Sequence, residues 1–261
     1  MNSRRGQFTA LLLLLATLTA LPGCQTSNAR NRVNEREFPR VILWAWERPE
    51  DLQFLNTKRY GVAYLAQTLT LKNDDVLLKP RRWPLKVSPA TRLIAVTRIE
   101  SRKTTGQPVS LSDSQRSRAT TLILKTLEEG NVSGIQVDFD AVISEREFYR
   151  SLLVDLRKKL PDNVPLSMTA LASFCVGDRW LSDLPVDEAI PMVFRMGKDS
   201  GAIKDMLSQG QDFRDGICRR SYGIAVDEPF EAKLQVERRV YVFNSQPWSI
   251  DDLDDLEKRI Q

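Results

Sequence analysis

Two aspartates, Asp138 and Asp140, are the groups in this sequence best suited to proton transfer. They close the segment Gly134-Ile135-Gln136-Val137-Asp138-Phe139-Asp140, which alternates with period two. Ile135, Val137 and Phe139 fall on one face, and Gln136, Asp138 and Asp140 on the other. On one strand the two carboxylates lie roughly 6.5–7 Å apart. In a partly dry site such neighbours repel, and one keeps its proton toward neutrality. Asp140, nearer the strand end, is the candidate general acid. Asp138 would orient it or stabilise positive charge developing at an anomeric carbon. The chain has no histidine, which removes Ser-His-Asp and Cys-His nucleophile systems. Cys175 and Cys218 alone cannot build a zinc cage, so no metal is expected. Glycoside hydrolysis is the large reaction class that runs on carboxylates alone. There is no G-x-G-x-x-G and no Walker loop, so no cofactor is expected either.

The elements that must carry these groups recur along the chain. Eight apolar, β-branched-rich runs are predicted strands: 40–46, 61–69, 92–99, 134–140, 166–171, 189–196, 222–226 and 240–244. Helices are predicted between several of them. Residues 112–129 present Ala119, Leu122, Ile123 and Leu127 on one face and stop at Gly130. Residues 144–160 open on a Ser144/Glu147 capping box and stop at Pro161. Residues 200–209 and 249–260 are shorter, and Asp251 and Asp252 suit the start of the last. The stretch 71–90, rich in Pro, Lys and Arg, reads as a loop or insertion. Eight countable strands and no switch-point glycine loop favour a single-domain (β/α)8 TIM barrel over an open doubly wound sheet.

Catalytic groups of such a barrel collect at the C-terminal ends of its strands. Glu100, after the third strand, and Glu228, after the seventh, are the candidate second carboxylates. Arg98 and Arg195, if directed inward, would bind a substrate carboxylate or hydroxyls. Trp46 shares a face with Trp44, and either could stack a sugar ring or fill core. Trp248, just past the last strand, is a candidate sugar contact, with Asn244 at that strand's end beside it. The same charges allow a different reading, in which Arg98, Arg195, Asp138 and Asp140 form a buried ion network without turnover. Asp187 and Glu188 precede the sixth strand, on the face associated with stability rather than chemistry.

The first 23 residues have a different character. Arg4 and Arg5 precede an apolar run from Phe8 to Leu21, too short to span a bilayer comfortably, and the segment reads as a signal peptide. It ends Leu21-Pro22-Gly23-Cys24, which resembles a bacterial lipobox and implies lipidation of Cys24, with ordinary secretion as the alternative. Gln25 rather than aspartate after it implies sorting to the outer membrane of a Gram-negative envelope. Residues 24–38 then form a lipidated N-terminus and polar tether, and 39–261 the barrel. The formal charge is +4, from 38 basic and 34 acidic residues, with no basic block after the leader. Nucleic acid is not an expected partner. Outside the cytoplasm two thiols often pair. Cys175 follows a strand and Cys218 precedes one, so a disulfide requires the connection to fold back; otherwise both thiols are free.

Segments 42–49, 134–141, 166–175 and 184–197, with Val240 to Asn244 and Pro247-Trp248, resemble a bacterial family, domain of unknown function 3142. The resemblance covers nearly the whole chain after the tether and implies no assigned activity. A more distant similarity links Ser133 to Asp140 with the fourth-strand signature of family 18 glycoside hydrolases, Asp-Gly-x-Asp-x-Asp-x-Glu. Gly134 and Asp138 match, and Asp140 stands in the place of the glutamate acid. The sixth-strand pattern Met-x-Tyr-Asp is Met192-Val193-Phe194-Arg195 here, and Trp248 stands near the place of a sugar-stacking tryptophan. Phe194 cannot hydrogen-bond a substrate N-acetyl group. Asp140 is also a methylene short, and about 1 Å of misplacement costs ~100-fold in rate. The resemblance therefore implies a carbohydrate-directed barrel without the standard chitinase route. An envelope or extracellular polysaccharide is the expected partner, and a non-catalytic sugar-binding or scaffold barrel is the alternative.

Overall fold

The computed structural model describes residues 38–102, 108–228, 230 and 232–260. The segment expected to be a signal peptide, Cys24 and all of the expected tether but Phe38 lie outside these residues. Eight parallel strands close into a barrel: β1 (Val41–Ala45), β3 (Tyr60–Lys72), β6 (Leu93–Ser101), β7 (Val132–Asp138), β8 (Leu166–Leu171), β9 (Glu188–Met192), β10 (Ser221–Ala225) and β11 (Arg239–Phe243). Each pairs with its chain neighbour in this set, and β11 closes the ring on β1. All eight expected strands are present, with shifted ends. The sixth stops at Met192 rather than Met196, because the chain turns at Phe194 and Arg195 takes a left-handed φ of 49°.

The stretch 71–90 is more ordered than expected. Strand β3 continues through Lys72, and β4 (Asp75–Pro80) pairs antiparallel with its second half. The turn uses Asn73 at φ 51°, a backbone state asparagine tolerates. The signal was present as Asn73-Asp74 between alternating apolar residues. Two short strands, β2 (Glu50–Asp51) and β5 (Leu85–Lys86), pair beside it.

Helix α1 (Asp113–Lys125) is capped reciprocally by Ser112 and Gln115. The Gln115 amide also donates to the carbonyls of Asn73 and Asp75, docking the helix on the hairpin. Helix α2 (Arg146–Lys159) begins later than expected. A 3-10 turn precedes it, and Glu145 rather than Glu147 reaches back, accepting from the Val142 N–H at 3.0 Å. A short helix α3 (Ala172–Gly177), not foreseen, follows β8 directly. Helices α4 (Ser200–Ser208) and α5 (Ile250–Ile260) match expectation. At α5, Ser249 and Asp252 exchange backbone-to-side-chain bonds. No described helix is long and apolar enough to cross a membrane.

The alternation of β7 sorts its side chains as expected. Ile135, Val137 and Phe139 pack outward against Tyr149, Leu152 and Leu156 of α2. Gln136 points into the barrel, where it accepts from the Trp44 indole N–H at 2.8 Å and donates to Ser167. The inner core is small: Ile42, Trp44, Ala63, Leu65, Ile94, Val96, Ile190 and Tyr241, with Phe38 among them. Gly223 makes room for the indole. A Cβ there would lie 3.2 Å from Trp44 and 3.1 Å from Ile190. At the N-terminal end Glu188 is buried. It accepts from Arg239 at 2.8 Å and from the Tyr241 hydroxyl at 2.6 Å, a structural role that agrees with its place on that face. A cavity of about 480 Å³ opens at this end, lined by Phe38, Arg40, Glu188, Arg238 and Arg239 among others.

Candidate functional site

The C-terminal end of the barrel carries an open cleft of about 560 Å³. Asp138 is the last residue of β7, and Asp140 follows two residues later, where Ala141 N–H bonds the Phe139 carbonyl. Both line the cleft. Strand β8 alternates Ser167 and Thr169 toward the interior, and the Thr169 hydroxyl donates to Asp138 at 2.6 Å. Burial pushes the Asp138 carboxyl up to about 6. The charge of Asp140 adds to this, while the Thr169 bond and the Arg98 guanidinium oppose it. Burial also raises Asp140, again against Arg98. Among the described residues neither aspartate is within ion-pair distance of a cation: Arg98 reaches Glu100 at 3.5 Å and Arg195 reaches Asp227 at 3.4 Å. The ion-network arrangement is therefore not the one adopted.

Aromatic rings form the other wall. Phe194 and Phe243 stack with centroids 5.6 Å apart, and Trp46 meets Phe243 edge-on at 6.3 Å. All three are partly exposed and line the cleft, whereas Trp44 below them is buried. Partly exposed rings beside carboxylates can stack a sugar's apolar face while its hydroxyls find polar partners.

Several residues singled out by sequence lie elsewhere. Glu228 is outside the cleft lining and is engaged, accepting the Arg195 N–H at 2.7 Å and the Lys204 ammonium at 2.9 Å. These two donors hold it below the usual carboxylate range. Glu100 faces Arg98 and does not line the cleft. Trp248 is buried; its indole donates to the Trp44 carbonyl at 3.0 Å and its N–H to Glu50, so it supports β1 from behind. Asn244 is buried too, folding its side-chain oxygen onto the Gln246 N–H. Arg98, Arg195 and Trp46 do line the cleft.

Sequence reasoning missed Thr169, Phe243, Lys198 and Asp199, all of which line it. The first two were readable, since Thr169 alternates with Ser167 and Phe243 with Tyr241. Lys198 and Asp199 sit in the connection after β9, where no periodicity marks them.

Cys175 and Cys218 are disulfide-bonded, with Cα atoms 5.9 Å apart. The fold-back that this requires comes from two features. Helix α3 is a single short turn packed against β8 and β9, and the segment before β10 returns to it, Arg214 N–H bonding the Cys175 carbonyl at 2.9 Å.

No family model and no curated protein matches the chain. Among solved structures it is similar to the Bacillus cereus spore cortex-lytic enzyme SleL, at 18% identity and a TM-score of 0.47, over 71% of this chain and 50% of that one. It is also similar to the chitinase domain of the spore coat protein CotE from Clostridium difficile, at 10% identity and a TM-score of 0.43, over 85% of this chain and 68% of that one. The chain thus spans about half the length of the first of these structures.

Proposed function

We propose that this barrel binds a polysaccharide strand in the Asp138/Asp140 cleft and cleaves it as a glycoside hydrolase. The observation that carries the reading is a pair of carboxylates without ion-pair partners among the described residues, facing partly exposed aromatic rings across an open cleft. Asp140, the more exposed of the two, gives its proton to the glycosidic oxygen as the anomeric C–O bond breaks; water then adds to the anomeric carbon and returns a proton to the Asp140 carboxylate. Asp138, proton-bearing up to about pH 6, keeps the local negative charge low and is oriented by Thr169. Because an acid must hold its proton, and burial raises the Asp140 carboxyl above its ordinary value, turnover is expected to fall as pH rises and Asp140 ionises. The test is release of reducing ends from a panel of envelope and extracellular glycans. Asp140→Asn should lower the rate at least ~100-fold with folding and sugar affinity intact. Wild-type protein that binds glycans without cleaving any would establish a non-catalytic sugar-binding barrel instead. One observation favours that second reading: Glu228 and Glu100 both lie outside the cleft lining, each paired with a cation.

Membership of the domain-of-unknown-function 3142 family belongs to the same proposal and rests on the sequence segments named above. So does lipid anchoring to the outer membrane, which the lipobox-like Leu21-Pro22-Gly23-Cys24 supports. Metabolic labelling with a fatty acid should mark the wild type and leave Cys24→Ser unlabelled.

A further inference from the structure

We propose that the glycan carries carboxylates, with the acid group held by Arg195 while Lys198 and Arg98 complete a cationic rim. This rests on the sugar-cleft reading above and names its substrate class.

Three cations line the cleft from two sides. Arg98 comes from β6, and Arg195 and Lys198 come from the connection after β9. Their acidic partners lie outside the cleft lining: Glu100 for Arg98 and Asp227 for Arg195. Both contacts are long and exposed, and such pairs hold a side chain only weakly. Lys198 is exposed and has no hydrogen-bond or ion-pair partner among the described residues.

Arg195 is the best-placed of the three. Its φ of 49° is a state that a residue with a side chain adopts at some cost, and such states persist where the surroundings fix them. Here Glu228 fixes it, gripping the Arg195 N–H at 2.7 Å and itself gripped by Lys204. The guanidinium then lies 4.8 Å from the centre of the Phe243 ring, over the aromatic wall. Its side-chain hydrogen bond among the described residues is the 3.4 Å contact to Asp227; exchanging that long contact presents the planar N–H fork to a ligand on the same wall, and the fork matches a carboxylate in shape and charge.

A neutral sugar gains little from three cations, because its hydroxyls are served by uncharged groups and by the aspartates. A phosphate dianion would suffer more than a carboxylate from Asp140 and Asp199 across the same cleft. Carboxylates reach sugars as uronic acids or as lactyl ethers on amino sugars, and the rim chemistry suits both.

Calorimetric binding to three ligand sets tests this: uronate oligosaccharides of several linkages, their carboxyl-reduced counterparts, and lactyl-bearing amino-sugar oligomers. At least one acidic set should bind 10-fold or more tighter than neutral oligomers, with affinity falling as salt rises. Which acidic set binds separates the two sources. Arg195→Lys, which keeps the charge but loses the fork, should narrow the preference. Lys198→Ala should do so too, without risk to folding. Equal binding of reduced and acidic oligomers overturns the inference while the sugar cleft stands, as does an acid preference untouched by both variants. Failure of every glycan to bind overturns both.

Discussion

Asp138 shows how one side chain can work against the fold that holds it. Its folded-state pKa of about 6 lies above the ordinary 3.8, so its contribution to stability is complete below about 3.8 and is lost as pH rises through about 6. The penalty at pH 8 is at most about 3 kcal/mol. Asp138→Asn keeps an oxygen for Thr169 and removes the charge. Urea denaturation should therefore find the variant more stable than wild type at pH 8 and equal to it near pH 4. A variant that is no more stable at pH 8 would mean that the carboxyl is better hydrated than its position implies. Two of the tryptophans named from sequence should part company in the same experiment. Trp248→Ala removes a buried ring and should cost about 3–5 kcal/mol, whereas Trp46→Ala should cost much less and act on glycan affinity instead. The aspartates were legible because period two marks both type and face. Glu228 and Trp248 misled because chain position says which end of a strand a residue follows, not whether a neighbour has already claimed it.

Strands and helices were more readable than the connections between them. Each barrel strand is a dense apolar run, and its inward set differs by height. Glu188 and Tyr241 sit near one end, Gln136 and Trp44 in the middle, and Asp138 and Thr169 at the cleft. What the sequence hid depends on contacts distant along the chain. The β3–β4 hairpin was obscured by the Pro, Lys and Arg that follow its turn, and the start of α2 was set by Glu145 rather than by the expected box. The buried Glu188–Arg239–Tyr241 group gives an element-level prediction, since it ties β9 to β11 past the intervening β10. Glu188→Ala leaves the Arg239 charge buried and unpaired, and should cost about 3–5 kcal/mol. Thermal melts of that variant should show this loss, while glycan binding at a temperature where it stays folded should be unchanged.

At the scale of the molecule, the disulfide closes a span of 43 residues that contains β9, α4 and the connection bearing Arg195. Chain-entropy reasoning assigns such a crosslink about 4 kcal/mol. Reduction, or the paired Cys175→Ala/Cys218→Ala change, should lower the melting temperature by roughly 10 °C. Eight strands were enough to read the barrel, yet the pairing of these thiols stayed open because it depends on the path of a loop. The indole of Trp44, seated against Gly223 and bonded to Gln136, has a molecule-wide consequence. It acts as a bung in the bore, so the arginine-rich vestibule at one end and the cleft holding Asp138 and Asp140 at the other are blind chambers. A quencher or small ion admitted through the first has no internal route to the carboxylates in the second.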